Sequence, residues 1–108
     1  MKLAETPFYI LGGKDEHEAV ESDAASWAQW FHENRLACRV GLNHFDNVTI
    51  STVFLGLDHN FNGGHPHLFE TMLFYKKDSV ECCRCTTWTQ ALDQHKHMIE
   101  FARNSLPR

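Results

Sequence analysis

Apolar and polar residues alternate most regularly in the second half of the chain, and a period of two predicts β-strands there. The longest such segment is VTISTVFLGLD, residues 48–58, which would place apolar side chains on both faces of a strand. Apolar character on both faces is typical of a strand inside a sheet. We therefore predict that residues 48–58 form a central strand.

Shorter segments with the strand pattern are residues 36–44, 68–75 and 80–86. Asp46 and Asn47 suit a two-residue hairpin turn, because both residue types tolerate positive φ. An earlier strand, residues 8–11, ends at a pair of glycines, and the charged residues 14–22 that follow predict a loop. The short connections between the later strands imply antiparallel neighbours.

Two other segments repeat apolar residues every three or four positions, which is the period of an amphipathic helix. Ser22 or Asp23 can cap the first helix, and Thr87 with Gln90 has the spacing of a capping box at the start of the second. The predicted buried face of the first helix consists of Ala24, Trp27, Ala28 and Phe31, with Trp30 beside it. The predicted buried face of the second consists of Trp88, Ala91, Leu92, His95, Ile99 and Ala102.

These elements follow in the order β-α-β-β-β-β-α, which predicts an α+β fold in a single domain, residues 1–108. We expect two layers, with a mostly antiparallel sheet of four or five strands in one of them. The two helices, near residues 23–34 and 88–104, should pack together on one face of that sheet. His95 would lie under the second helix, where a histidine is more often a hydrogen-bonded core residue than a ligand.

Composition narrows the classes of function. A hydrophobic fraction of 43% and an aromatic fraction of 12% in 108 residues indicate a packed globule. Ten Lys and Arg against fourteen Asp and Glu leave a formal net charge of −4 without a basic cluster, so direct nucleic-acid binding is not favoured. The pattern contains neither a secretory signal nor an apolar run that could span a membrane. We predict a cytoplasmic protein whose four cysteines are free thiols.

A polar loop between two apolar strands, DHNFNGGHPH at residues 58–67, is the first candidate for a site. It contains His59, His65 and His67, and CCRC at residues 82–85 lies on a strand predicted to be nearby. Two imidazoles and two thiolates could form a tetrahedral zinc site. The spacing matches no standard zinc finger, whose paired ligands lie two to four residues apart. We therefore favour a histidine-rich surface loop, and we predict no metal and no cofactor.

Asp58, His59 and Glu70 are the second candidate. An Asp-His pair at a strand end, with a carboxylate on the next strand, resembles the parts of an acid–base site. Glu70 would share its face of the strand with apolar neighbours, where a carboxylate needs partners. We favour a structural role, in which Glu70 bonds loop amides or pairs with an arginine and holds the loop in shape. Motifs for a nucleophile, a phosphate loop or a dinucleotide are missing from the sequence, so we favour a protein that is not an enzyme.

The chain resembles a family of small uncharacterised proteins encoded by bacteriophages, prophages and their bacterial hosts. The similar segments are WAQWF (27–31), STVFLGLDHNF (51–61), LFETMLF (68–74) and TTWTQALDQH (86–95), within about residues 7–102. The loop positions that match the family pattern are Asp58, His59, Phe61, Glu70 and Thr71. His65, His67 and the cysteine cluster depart from that pattern, which weakens the zinc hypothesis. The resemblance implies a mobile-element context and no particular activity.

Three functions of different classes follow from these observations. We favour a phage-type accessory protein that binds a host protein and inhibits a host defence system. The first alternative is a small-molecule binder, for example of a nucleotide signal, in the cleft of a homo-oligomer. The second is a small enzyme or metalloprotein that uses Asp58, His59 and Glu70. For the favoured function, the predicted binding residues are Asp58, His59, Asn60, Phe61, His65, His67 and Glu70.

Overall fold

The computed structural model describes residues 7–60 and 63–107, and this part of the chain forms six strands and two helices. The strands are β1 (Phe8–Leu11), β2 (Ala19–Ser22), β3 (Arg39–Phe45), β4 (Val48–Phe54), β5 (Phe69–Tyr75) and β6 (Asp78–Cys85). The helices are α1 (Ala24–Glu33) and α2 (Trp88–Ser105), and a short 3₁₀ turn covers Leu36–Cys38. The predicted α+β fold is confirmed, and the observed order contains one additional strand, β2.

Strands β3 to β6 form an antiparallel sheet in the order β3-β4-β5-β6. β4 pairs with β3 on one side and with β5 on the other, so its predicted central position is confirmed. The predicted hairpin turn between β3 and β4 is also present, with Asp46 at a φ of 52°. Lys76 and Lys77 make the corresponding turn between β5 and β6, with φ of 51° and 73°. Positive φ in a two-residue turn matches the right-handed twist of the strands that it joins.

β1 and β2 form a separate hairpin, in which Leu11 lies opposite Ala19. The predicted loop over residues 14–22 is therefore wrong in its second half. Only Val20 and Ala19 are apolar in β2, and charged neighbours such as Glu21 conceal the strand pattern. A strand covered on one face needs few apolar residues, which explains why the sequence did not reveal it.

Two predicted strands are shorter than expected. Leu36–Cys38 is a 3₁₀ turn, so the strand predicted from residue 36 begins at Arg39. The central strand ends at Phe54 because Gly56 adopts a φ of 67°, outside the β region. Gly56 is buried, and a Cβ there would lie 2.6 Å from the Tyr9 carbonyl oxygen. Only glycine fits this position without displacing the backbone of β1.

Helix α2 covers one face of the four-stranded sheet. Its buried residues are Ala91, His95, Met98 and Ala102, which repeat at helical spacing along one stripe. The prediction that Leu92 is buried is wrong, since 41% of this residue is exposed. Met98 replaces it in the core, because the helix is rotated so that the stripe centres on positions 95 and 98.

Helix α1 approaches the same side of the sheet through its aromatic residues. Asp23 caps the helix, as its side chain accepts a hydrogen bond from the Ser26 amide. The rings of Trp30 and Phe31 lie 6.0 and 5.8 Å from the ring of Phe54, at the end of β4. Ala24 and Ala28, which were expected to be buried, are exposed (both lie outside this aromatic edge). Both helices therefore lie on one face of the sheet, as predicted.

A chain of polar side chains crosses the core under α2. The Thr52 Oγ1 lies 2.7 Å from the Thr71 Oγ1 and 2.7 Å from the His95 Nδ1. The His95 Nε2 lies 2.7 Å from the Asn43 Oδ1. A neutral imidazole with its proton on Nε2 completes the chain, because Nε2 then donates to Asn43 while Thr52 donates to Nδ1. His95 is thus a hydrogen-bonded core histidine, as predicted.

Gly41 makes room for this imidazole. A Cβ at position 41 would lie 2.9 Å from the nearest ring atoms of His95. The ring has hydrogen bonds at both nitrogens, so it cannot move away without losing one of them. Burial lowers the pKa of His95 from its ordinary value, which keeps the ring neutral in the folded chain.

Candidate functional site

Asp58 organises the polar loop between β4 and β5. Its Oδ1 accepts hydrogen bonds from the amides of Asn60, at 2.8 Å, and His67, at 3.0 Å. Its own amide donates to the Pro7 carbonyl at 2.8 Å, which ties the loop to the start of β1. An aspartate that accepts the amide two residues later forms an Asx turn, a local motif that fixes chain direction. Asp58 therefore has a structural position at the beginning of the loop.

Asn60 binds the backbone on the other side of the loop. Its Nδ2 donates to the carbonyls of Gly63, at 2.6 Å, and His65, at 2.8 Å. The His59 Nδ1 bonds to the Leu57 carbonyl at 2.7 Å. His65 is exposed, and His67 is half-buried. Phe61, which we also predicted to be a binding residue, lies outside the described residues.

Glu70 lies away from this loop, on the sheet face that carries no helix. Its Oε2 accepts a hydrogen bond from the Nε of Arg84 at 3.0 Å and lies 3.0 Å from the Nη2 of the same guanidinium group. The predicted pairing of Glu70 with an arginine is confirmed, but the prediction that Glu70 holds the loop in shape is wrong, because the pair joins β5 to β6 and the loop amides bond to Asp58. The His59 amide donates to the His67 carbonyl. His67 lies three residues before Glu70, and three residues correspond to roughly 10 Å along a strand. The structure therefore brings Asp58 and His59 together but separates both from Glu70.

The three clustered cysteines point to different faces of β6. Cys83 and Cys85 pair with Thr71 and Phe69, whose side chains are buried under α2. Cys82 lies on the opposite face, where its Sγ donates to the Glu70 Oε2 at 3.5 Å. All four cysteines of the chain are free thiols, as predicted. Within residues 7–60 and 63–107, no three His, Cys, Asp or Glu side chains are grouped so that they could hold a metal ion.

Three of the cysteines, Cys38, Cys82 and Cys85, are poor nucleophiles in this environment. Burial raises the pKa of Cys85 to about 11, with a smaller contribution from Cys83. Burial also raises the pKa of Cys38 to about 11. The pKa of Cys82 is raised by burial and by the negative charge of Glu70. Because the thiolate is the reactive form, these shifts leave little nucleophile near neutral pH.

A groove of about 730 Å³ runs between β6 and α2. Its apolar part includes Met98 and Phe101, and 44% of Phe101 is exposed. Glu81 on β6 and Asp93 on α2 contribute a carboxylate to each wall. The remaining lining residues are His67, Cys83, Arg84, Cys85, Thr86, Gln90, Gln94 and His97. His67 connects the groove to the end of the polar loop.

The groove follows the free edge of the sheet. The Cys85 carbonyl accepts from the Leu68 amide at 2.9 Å, so the backbone of Cys85 faces β5. Backbone direction alternates along a strand, and the peptide groups of Cys82 and Arg84 therefore face away from β5. Gln94 confirms this direction, because its Nε2 donates to the Arg84 carbonyl at 3.3 Å. The remaining backbone groups on this edge, the amide and carbonyl of Cys82 and the amide of Arg84, can form hydrogen bonds with a further strand.

Sequence reasoning missed this groove, although it predicted one residue of its rim, His67. The missed residues stand on β6 and α2, which follow each other in the chain. Their side chains line one groove only because α2 packs back against the sheet. One signal was present: Phe101 is a large apolar residue between Glu100 and Arg103, outside the stripe that contains Ala102. An aromatic residue on a polar helix face is a reason to expect a contact beyond the core.

A second cavity, of about 500 Å³, lies between the β1–β2 connection and the start of α2. The imidazole of His17 stacks on the indole of Trp88 there, with ring centroids 3.8 Å apart. The carboxylates around it are occupied locally, since Asp15 accepts from the His17 amide and Glu18 accepts from the Lys14 amide. This cavity is therefore the weaker candidate for a binding site.

The chain matches no protein-family model, no curated protein and no solved structure. The resemblance to phage-encoded proteins accordingly stays a prediction. Among the described residues, no helix is long and apolar enough to cross a membrane.

Proposed function

We propose that the chain is a protein-binding module without catalytic activity, and that it binds its partner through the groove between β6 and α2. The observation that carries this proposal is the groove itself, which combines an exposed aromatic residue, a polar rim and the free edge of a strand. Protein interfaces are enriched in large aromatic side chains surrounded by polar residues. Phe101 has this position.

The residues with potential for chemistry support the same conclusion. Asp58 is engaged with two loop amides, and Glu70 pairs with Arg84. His95 is enclosed in the core with both ring nitrogens bonded. An acid–base site needs a base within hydrogen-bond reach of a substrate, together with a second group that acts on the same atoms. These three residues are used to hold the fold.

The resemblance to phage and prophage proteins suggests a host protein as the partner. On this proposal the interaction takes place in the host cytoplasm, and proteins of host defence systems are the class to test first. The loop residue His67 lies on the rim of the groove and would belong to the contact surface. His59 and His65 belong to the same loop, so they extend the surface that a large partner would meet.

The test is affinity capture from a bacterial host lysate with three versions of the full chain. These are the wild type, Phe101→Asp in the groove and Leu42→Asp on the uncovered sheet face, where 40% of Leu42 is exposed. We expect one partner to be retained by the wild type and the Leu42 variant and to be lost with Phe101→Asp. A circular dichroism melt checks that both variants fold. Equal capture by all three versions would contradict the groove as the binding site.

Small-molecule binding is the second candidate, because a volume of about 730 Å³ lies within the range of ligand pockets. Native mass spectrometry of the purified chain distinguishes the two candidates. A retained small molecule that Phe101→Asp releases would favour a ligand-binding protein. A spectrum of the bare chain, combined with capture that depends on Phe101, would favour the protein-binding module.

A further inference from the structure

We infer that the groove receives an extended segment of the partner, which adds to the sheet as a strand beside β6 and carries an apolar residue and a basic residue. This inference rests on the proposed function, and it specifies the form and chemistry of the bound segment. It depends on three features of the groove: the direction of its backbone groups, the place of its apolar residues and the sign of its charges.

The first feature is the backbone of β6. Cys82 presents its amide and carbonyl away from β5, and Arg84 presents its amide in the same direction. A strand that approaches this edge can form main-chain hydrogen bonds with these groups, which is the basis of recognition by strand addition. Gln94 covers only the Arg84 carbonyl. The Gln94 Oε1 is buried and has no hydrogen-bond partner among the described residues, so an additional donor at this wall would satisfy it.

The second feature is the apolar part of the groove. Phe101 is 44% exposed and stands beside Met98, which is only 5% exposed and belongs to the core. An apolar side chain of the bound segment would cover the ring of Phe101 and remove it from water. In a strand, alternate side chains point to the same side, so the segment can direct an apolar residue toward α2 while its backbone bonds to β6.

The third feature is charge. Glu81 and Asp93 line opposite walls of the groove, whereas the guanidinium of Arg84 is bonded to Glu70 on the other face of the sheet. The carboxylates therefore favour a lysine or arginine in the bound segment. Asp93 precedes Phe101 by eight residues, or about 12 Å along the helix axis. A strand covers that distance in about four residues, so we expect the basic residue about four positions from the apolar one.

The experiment uses synthetic peptides of about nine residues and the full-length chain. Each peptide consists of threonine and serine, except for one leucine and one lysine placed four positions apart. Both orders of leucine and lysine are made. Control peptides replace lysine by glutamate, or carry N-methyl groups on alternate amides so that they cannot donate to β6. Binding is followed by fluorescence anisotropy, and the amides of Cys82 and Arg84 are followed by hydrogen exchange detected by NMR.

We expect the leucine–lysine peptide to bind and to slow hydrogen exchange at Cys82 and Arg84. Asp93→Asn should weaken this binding roughly two- to fivefold, as for an exposed ion pair. Phe101→Ala should weaken it roughly tenfold, as for an aromatic residue at the centre of an interface. Leu42→Ala, on the uncovered sheet face, is the matched control and should leave binding unchanged.

Several outcomes would overturn the inference. Equal binding of the N-methylated peptide excludes strand addition, and equal binding of the glutamate peptide excludes the charge rule. Failure of every peptide to bind would contradict the inference. Slow hydrogen exchange at Cys82 that depends on protein concentration without peptide would assign the edge to another occupant, such as a second copy of the chain. If a captured partner still depends on Phe101 in these cases, the proposed function stands and only the strand model fails.

Discussion

The two faces of the four-stranded sheet treat polar residues in opposite ways, although the residues are neighbours in the chain. Thr71 lies on the face under α2, is fully buried and bonds to Thr52. Glu70, one residue earlier, lies on the uncovered face and pairs with Arg84 while 19% of its side chain stays exposed. Uncharged, hydrogen-bonded side chains occupy the face covered by α2. An ion pair in contact with water occupies the uncovered face.

This difference predicts how strongly each face responds to mutation. A buried hydroxyl or imidazole that loses its partner keeps its desolvation penalty, which is about 1–3 kcal/mol. An ion pair in contact with water contributes about 0.2–1 kcal/mol, because solvent screens the charges. We therefore expect mutations on the covered face to lower stability several times more than mutations on the uncovered face.

The largest effect should occur at Gly56, where β1 and α1 close the end of the covered face. Alanine there would have an unfavourable positive φ, and its Cβ would meet the Tyr9 carbonyl at 2.6 Å and the ring of Phe31. We expect Gly56→Ala to lower the free energy of unfolding by about 3 kcal/mol or more, measured by urea denaturation.

Gly63 is the matched control for this mutation. Its φ is 82°, but a Cβ at this position has no neighbour within 4 Å among the described residues. Gly63→Ala should therefore lower stability by about 1 kcal/mol, which is the cost of the backbone conformation alone. Equal losses at the two glycines would show that Gly56 is not packed as closely as the structure describes.

The second effect concerns the buried polar chain. Thr52→Val replaces the hydroxyl by a methyl group of similar size, and it leaves the Thr71 hydroxyl and the His95 Nδ1 without their shared partner. We expect a loss of about 1–3 kcal/mol in urea denaturation. Ser51→Ala, one residue earlier on the uncovered face, should change stability by less than about 0.5 kcal/mol. A loss at Ser51 equal to that at Thr52 would remove the difference between the faces.

The sequence revealed the covered face well because its pattern is local. The alternation in residues 48–58 and the helical stripe through Ala91, His95 and Ala102 both follow from the period of one element. The errors arose where a neighbouring element decides burial. Leu92 and Met98 lie about 120° apart around the helix, on opposite sides of the predicted stripe. The rotation of α2 on the sheet places Met98 in the core and leaves Leu92 exposed.

The candidate site was less accessible to sequence reasoning. The bond between Asp58 and the loop amides follows from turn chemistry, and an arginine partner for Glu70 follows from the cost of a lone carboxylate on a sheet. Neither observation identifies the groove. Its walls, represented by Glu81 and Asp93, come from two elements whose relative position depends on how the whole fold packs. Side chains that meet only through tertiary structure give no periodic signal in the sequence.

The third effect depends on pH. The folded chain lowers the pKa of His95 from its ordinary value near 6.5, so the unfolded chain binds a proton more readily at this residue. Its contribution to stability is complete above pH 6.5 and decreases as the pH falls below that value. We expect the melting temperature of the wild type to fall more between pH 7.5 and 5.0 than that of His95→Gln. Parallel pH profiles for the two proteins would show that folding does not lower the pKa of His95.

The smallest effect should appear at the ion pair on the uncovered face. Glu70→Gln keeps the shape of the side chain and removes its charge, while Glu70→Ala also removes contacts along the strand surface. We expect each variant to lower stability by less than about 1 kcal/mol, with alanine the more damaging. The clean measurement is a double-mutant cycle of Glu70→Gln and Arg84→Met by urea denaturation at low salt. The coupling energy should be about 0.2–1 kcal/mol, and it should weaken at high salt because exposed charges are screened. A coupling above about 2 kcal/mol that increases with protein concentration would show that a second copy covers this face, and the contrast between the two faces would then hold only for the monomer.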